Sequence, residues 1–354
     1  MIAAVYHGPE DLRLEERPTP SAAPKEAVVR VDCASICATD LRILRGVHRK
    51  YGPGTVRVPG HEVVGTIVEL GTQSGGNYRV GQRVFIAPNI GCGRCRECLR
   101  GENNRCANYD ALGITLDGAF AEYMRVPAAF LEQGNLIPFH SALEGAAVAL
   151  AEPFACVLRG QKAVNVGRDD VVLILGAGPI GVMHTIAARA AGARKVIVSE
   201  RSTQRRSLAT AAGATRTVNF IEESLPDAVA EETEGRGADV VIVAAGVREA
   251  MEGAPALAAI GGRINLFAGL PVNNTAITLD SNLIHYKELT VTGTTGCSTN
   301  DCRRSMELIA SGKVNLAPLI SGRYRLDRIS DAFSAVKAGN IFKVVLESDS
   351  KEAL

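Results

Sequence analysis

At Asp169 the sequence changes character. Downstream of it, the runs Val171-Val-Leu-Ile-Leu, Lys195-Val-Ile-Val-Ser, Arg216-Thr-Val-Asn, Asp239-Val-Val-Ile-Val and Arg263-Ile-Asn-Leu-Phe alternate with stretches of helical pattern. Strands this apolar, separated by helices, predict a parallel sheet covered on both faces. Leu289-Thr-Val-Thr-Gly completes a doubly wound set of six. Upstream, to about residue 145, short alternating runs such as Ala27-Val-Val-Arg-Val-Asp and Glu62-Val-Val-Gly-Thr-Ile-Val-Glu predict an antiparallel β region with few helices. After the sixth strand, Ser305-Met-Glu-Leu-Ile-Ala and Ile329-Ser-Asp-Ala-Phe-Ser-Ala-Val read as helices and Lys343-Val-Val-Leu-Glu as a last strand. The expected organisation is therefore a cofactor domain at 151–289 inserted in a catalytic domain made of 1–150 and 290–354.

Composition narrows the classes. The 354 residues suffice for two domains, and 46% hydrophobic with 22% charged residues is the balance of a globular enzyme. Lys plus Arg (39) against Asp plus Glu (38) leaves a net charge of +1, so no overall field exists to hold a nucleic acid or an anionic membrane. Apolar runs such as Val171 through Ala177 are far short of the roughly 20 residues a bilayer requires. Met1-Ile-Ala-Ala-Val-Tyr reads as a first strand, soon followed by Glu10, Asp11 and Arg13, so a cytoplasmic location is expected.

Gly176-Ala-Gly-Pro-Ile-Gly181 follows the first parallel strand and opens the helical stretch Ile180–Ala191. In that context Gly176 permits the tight turn, Gly178 lets the backbone approach a pyrophosphate, and Gly181 lets the helix lie close to its strand, with Pro179 and Ile180 at the helix start. The second strand ends at Ser199-Glu200, where an acid takes the ribose hydroxyls of NAD. Glu200 repels a 2′-phosphate and favours NAD; Arg201, Arg205 and Arg206 form a basic run that keeps NADP as the alternative.

Cys92-x2-Cys95-x2-Cys98-x7-Cys106 supplies four thiolates, enough for a closed tetrahedral zinc shell in a lobe at about 88–110. An iron–sulfur cluster uses the same ligands, but nothing else in the chain suggests electron relay. Such a shell leaves no place for substrate and is structural. A second set is open: Cys37-Ala-Thr-Asp40, Gly60-His61-Glu62 and Glu152-Pro-Phe-Ala-Cys156 offer one sulfur, one imidazole and one or two carboxylates, which suits zinc and leaves a vertex for a ligand.

These motifs, with Glu152-Pro153 and the terminal Lys343-Val-Val-Leu, resemble over nearly the whole chain the zinc-dependent medium-chain alcohol dehydrogenases, and within them the sorbitol (polyol) dehydrogenase-like branch. The resemblance implies a GroES-like β-rich catalytic domain, a Rossmann domain with a six-stranded parallel sheet, two Zn²⁺ per chain, a catalytic zinc in the cleft between the domains, and a dimer or tetramer. It implies that Cys37, His61 and either Glu62 or Glu152, or both in alternation, hold that zinc, with Cys156 as fallback. Asp40 then orients His61, Thr39 relays the hydroxyl proton, and Arg205, Ala268, Gly269, Leu270, Thr294 and Thr295 join the dinucleotide contacts. The implied reaction is reversible oxidation of a secondary alcohol, a polyol or sugar alcohol, to a ketone.

Charge counting separates the carboxylates: a zinc ion with the Cys37 thiolate, neutral His61 and Glu152 is neutral, whereas adding Glu62 makes the site negative. Two departures from the family matter. Leu41-Arg42-Ile43-Leu44 stands where many relatives carry a relay histidine; His48 is the candidate substitute, but reads rather as a solvent-facing loop residue. Ile43 and Thr294-Thr-Gly-Cys297 replace the aromatic and arginine residues that hold sorbitol. Alternatives are a threonine dehydrogenase-type enzyme sharing every motif, a sugar-phosphate dehydrogenase using the basic stretch Arg42, Arg45, Arg49 and Lys50, a zinc-free quinone reductase, and a non-catalytic NAD- and zinc-binding protein on the same scaffold. Cys33, Cys297 and Cys302 read as packed or idle thiols.

Overall fold

The computed structural model describes residues 1–74, 76–271, 273–339 and 341–348 and divides into two units: Met1–Ala155 with the return from Cys297, and Cys156–Gly296. Residues 340 and 349–354 of the expected segment 290–354 lie outside the described residues.

In the second unit every side chain of the strand Val171–Leu175 is buried, and each such aliphatic group contributes about 1.5–3 kcal/mol relative to exposure. The sheet runs, edge to edge, Arg216–Val218, Lys195–Ser199, Val171–Leu175, Ala238–Val243, Ala258–Leu266 and Thr290–Gly293. All neighbours are parallel. The chain order is thus 3-2-1-4-5-6, the Rossmann arrangement, and the glycine loop leaves the first strand where that order reverses. The sixth strand hydrogen-bonds in register with the fifth, Arg263 opposite Thr290 through Leu266 opposite Gly293. A boundary at 289 would cut that ladder, so the unit extends to Gly296. At the other end the division falls inside the helix Ala151–Ala163, between Ala155 and Cys156, rather than before residue 151.

The first unit is built on a seven-stranded sheet. Ile320–Arg325, Lys343–Glu347, Ala27–Ser35, Glu62–Leu70, Arg83–Ile86 and Leu136–Pro138 follow one another across it, and Tyr123–Val126 also pairs with Ala27–Ser35. The strand Ile320–Arg325 was not visible as an alternating run because its side chains are only half-buried or exposed. Short helices, among them Ala38–Leu44, Ala128–Glu132 and Gly145–Ala149, interrupt the β region. Its core gathers Val29, Val63, Ile67, Ile86, Phe120, Phe130 and Val344, all at most 1% exposed. Among the described residues no helix is long and apolar enough to cross a membrane.

Candidate active site

The dinucleotide loop has the backbone that its glycines anticipate. Gly176 adopts φ +101°, and a Cβ on Gly181 would meet the Gly176 carbonyl oxygen at 1.9 Å. A side chain on Gly178 would meet nothing within 4 Å, so this side of the turn is an open cradle at the N-terminus of the helix Pro179–Ala190. Glu200, 7% exposed, accepts the Ala177 N–H at 3.1 Å and the Ser202 N–H at 3.0 Å, and Arg205 lies 3.8 Å from its carboxylate. Ala268, Gly269 and Leu270 follow the carboxyl end of the strand Ala258–Leu266, and Thr294 and Thr295 follow that of Thr290–Gly293. Those strand ends are where open α/β sheets bind ligands. Asn265 fastens this edge, donating to the Gly160 carbonyl at 2.7 Å and to Thr294 Oγ1 at 3.3 Å.

In the first unit the ligand atoms of Cys92, Cys95, Cys98 and Cys106 all lie within 4.8 Å of one another. The Cys95–Cys98 and Cys95–Cys106 sulfur separations are 3.5 and 3.8 Å, close to the edge of about 3.8 Å in a zinc tetrathiolate. The backbone N–H groups of Arg94 and Cys95 favour a Cys92 thiolate and lower its pKa to about 6, whereas burial and the Cys95 side chain push Cys98 up to about 12. Gly91 backs the shell, since a Cβ there would sit 2.4 Å from Cys98 Sγ.

The second cluster is assembled by the sheet. Cys37 caps the helix Ala38–Leu44 just after the strand Ala27–Ser35, whose last residue pairs with Glu62 on the neighbouring strand. Gly60 precedes His61 at φ +95° with the Phe120 ring where its Cβ would be, so no other residue fits that turn. The ligand atoms of Cys37, His61 and Glu62 come within 4.8 Å of one another, with Glu62 fully buried and His61 7% exposed. Glu62 Oε1 is buried and makes no hydrogen bond to the chain. An unsatisfied buried carboxylate oxygen beside a thiol and an imidazole is a donor set that fits a zinc ion.

Asp40 accepts the Cys37 N–H through Oδ2 at 2.8 Å and places Oδ1 3.5 Å from His61 Nδ1. Burial opposes a charged His61, but Asp40 and the Cys37 thiolate outweigh it and hold its pKa well above the usual value in the chain alone. Thr39 is half-buried on the first turn of the same helix. Glu152 is not in this tight set. Its Oε1 instead receives the Cys297 thiol at 3.5 Å. Burial raises its pKa, with His61 and Glu62 near enough for their charges to act on it in opposite senses. Cys156 follows Glu152 one turn along the helix Ala151–Ala163. His48 is not the solvent-facing residue expected: it is half-buried, edge-on to Tyr51 at 5.8 Å, and burial followed by Arg49, His61 and Arg42 lowers its pKa.

Sequence reading missed Lys343. Its ammonium, in a side chain 6% exposed, bonds Glu62 Oε2 at 2.5 Å and the carbonyl of Ile36, the residue before Cys37, at 2.9 Å. The Glu62 and Cys37 charges outweigh the burial that disfavours its own, so its pKa stays above that of an ordinary lysine. The available signal was a single charge heading an apolar strand whose neighbours are all core residues. Lys343 offsets one of the two carboxylates, which weakens the charge objection to having Glu62 and Glu152 near one ion, although the buried Asp40 adds a further negative charge. Cys297 and Cys302 are the packed thiols expected, buried with sulfurs 3.6 Å apart, and the Cys297 thiol in addition reaches Glu152.

Residues 23–135 match the family model of the alcohol dehydrogenase GroES-like domain, and residues 179–311 that of the zinc-binding dehydrogenases. The chain is 35% identical over 354 residues to an L-threonine 3-dehydrogenase of Pyrococcus furiosus, with 98% of each chain covered. A zinc-binding dehydrogenase from Sinorhizobium meliloti bound to NADP superposes with a TM-score of 0.90 at 32% identity, covering 98% of each chain. An alcohol dehydrogenase from Escherichia coli CFT073 complexed with NADH gives 0.88 at 28% identity, covering 98% of this chain and 99% of that one. With the glycine loop, the four-cysteine lobe and the open cluster in place, the chain belongs to the zinc-dependent medium-chain alcohol dehydrogenase superfamily, a family of oxidoreductases.

Proposed function

We propose that the protein is a zinc-dependent, NAD-linked dehydrogenase that oxidises the secondary hydroxyl of a small amino alcohol, with L-threonine as the first substrate to test. The observation that carries this reading is the convergence of one thiol, one imidazole and one unsatisfied carboxylate oxygen within 4.8 Å, the latter two buried. A zinc ion held there supplies Lewis acidity toward the hydroxyl, and the dinucleotide supplies the hydride acceptor. The chain's own residues do the rest. Cys37, His61 and Glu62 hold the ion, and Glu152 is the carboxylate that alternates with Glu62. Asp40 orients His61 and Lys343 orients Glu62. Thr39 takes the hydroxyl proton outward. Glu200 selects NAD, and Cys92, Cys95, Cys98 and Cys106 hold a structural zinc.

Support for an amino alcohol over a polyol comes from the threonine dehydrogenase relative and from Ile43. Ile43 is 1% exposed and packs with Tyr6, Tyr51, Ala111 and Ile114 instead of offering a polar contact to a polyhydroxy chain. The test is metal analysis together with initial rates on L-threonine, sorbitol and a simple secondary alcohol, each with NAD⁺ and NADP⁺. About two zinc ions per chain, the highest kcat/KM on L-threonine and a lower KM for NAD⁺ are expected. Higher kcat/KM on sorbitol returns the assignment to the polyol branch, and a lower KM for NADP⁺ overturns the role given to Glu200.

A further inference from the structure

Asn103 belongs to the four-cysteine lobe, between Cys98 and Cys106, yet its side chain serves another part of the unit. It is 6% exposed, and a buried amide must place its donors and its acceptor on partners. Asn103 Oδ1 accepts the backbone N–H of Thr299 at 3.0 Å. Its Nδ2 donates to Thr299 Oγ1 at 3.1 Å and to the Asn89 carbonyl at 2.7 Å. The Thr299 hydroxyl passes its own proton to Asn135 Oδ1 at 3.3 Å, and Asn135 Nδ2 returns to the carbonyls of Asn89 and Ala87 at 2.8 and 2.9 Å. Asn89 Nδ2 in turn donates to the Cys297 carbonyl at 2.9 Å. The same Asn89 amide also reaches Cys297 Sγ at 3.8 Å, and the residues this circuit holds, 297–299, start the helix Thr299–Ala310. Cys297 is fully buried and its thiol faces Glu152 Oε1 at 3.5 Å.

We propose that Asn103 is a positioning residue through which the four-cysteine lobe sets Cys297 against Glu152, so that the lobe governs the geometry of that carboxylate as well as its own stability. A closed hydrogen-bond circuit in a low-dielectric interior resists displacement, because opening any one bond leaves a buried donor or acceptor without a partner. The link from Asn103 to Cys297 stands on these contacts alone. Its consequence for metal retention rests on the reading of Glu152 as a ligand given above.

The experiment uses the full chain and two variants. Asn103→Asp preserves size and the acceptor for Thr299 N–H but removes both N–H donors; Thr299→Val removes the hydroxyl from outside the lobe. Three quantities are measured: lobe zinc content, the alkylation rate of Cys297 by iodoacetamide mapped by mass spectrometry, and the Co²⁺ dissociation constant of the open cluster from its visible spectrum. With lobe zinc retained, Cys297 is expected to react about tenfold faster and Co²⁺ to bind about tenfold more weakly, the usual scale for a group that orients a ligand. An unchanged Cys297 rate in Thr299→Val, or in zinc-retaining Asn103→Asp, overturns the proposal. A faster Cys297 rate with unchanged Co²⁺ affinity supports the Asn103 link and overturns Glu152 as a metal ligand.

Discussion

Cys92, Cys95, Cys98 and Cys106 come from one short segment, whereas Cys37 and the pair His61-Glu62 come from two stretches that meet only because the strands Ala27–Ser35 and Glu62–Leu70 are neighbours. The lobe is partly open to water, with three of its four cysteines half-buried; in the second cluster Cys37 is half-buried too, but Glu62 and His61 are buried. Burial explains the difference in what surrounds them. Water screens thiolates at a surface, but charges in an interior must be balanced and hydrogen-bonded by the chain itself. Hence Asp40 and Lys343 stand behind His61 and Glu62, and Lys343 arrives on a strand contributed from the far end of the sequence. A closed shell can be local. An open, reactive one must recruit its counter-charges from elsewhere in the fold.

The comparison breaks most visibly at the sulfurs. Cys37→Ser is expected to lower kcat by about 10³-fold or more, since a correctly held ion contributes several kcal/mol to the transition state. Lobe zinc and dinucleotide binding, followed by equilibrium titration, should survive. Cys95→Ser should do the opposite: lobe zinc is lost and Tm falls by about 10 °C, as the loss of several kcal/mol implies for a domain of this size. Equal damage to both readouts in both variants would mean that the clusters are not divided between chemistry and stability.

Lys343→Met sharpens the same contrast. It leaves Glu62 buried without its cation, and urea unfolding of the metal-depleted protein should show a loss of about 3–5 kcal/mol. The double variant Lys343→Met with Glu62→Leu should recover most of that stability but not Co²⁺ affinity. Full recovery of both would show that Glu62 has no part in holding the ion.

A smaller effect must be subtracted before either cluster is examined by acid titration. His184, fully buried against Phe267 at 4.6 Å in the second unit, has its pKa lowered by burial to about 3 from 6.5. The unfolded chain therefore binds the extra proton first. The contribution of His184 is complete above about pH 6.5 and is lost as pH falls toward 3, at about 1.4 kcal/mol per unit. His184→Leu should flatten that limb of a stability–pH curve. If the slope between pH 6.5 and 5.5 is unchanged, the acid sensitivity comes from other groups.

Much of the fold was legible because its signals are local. Five strand-like runs alternating with helical stretches, and a glycine loop, suffice to predict a doubly wound sheet, and Gly181 shows why that loop permits no other residue at the contact with Gly176. The limits of the compact unit lie a few residues from 151 and 289, since one falls inside a continuous helix and the other after a strand whose membership depends on its partner. At the site, the set Cys37, His61, Glu62 and Glu152 was read as one cluster, but the choice between its two carboxylates stayed open. Glu62 and Glu152 are both carboxylates in suggestive motifs, and only the folded chain puts one with Cys37 and His61 and the other with Cys297.

From its sequence alone this protein was bound to be a two-part α/β enzyme with a dinucleotide loop and a four-thiolate lobe, because periodicity, turn chemistry and short ligand spacing act between near neighbours in the chain. Tertiary structure decided which carboxylate joins the open cluster, that Lys343 balances it, and that Asn103 ties the lobe to Cys297. Charge compensation and buried hydrogen-bond closure depend on distances across the sheet, and those exist only once it has formed.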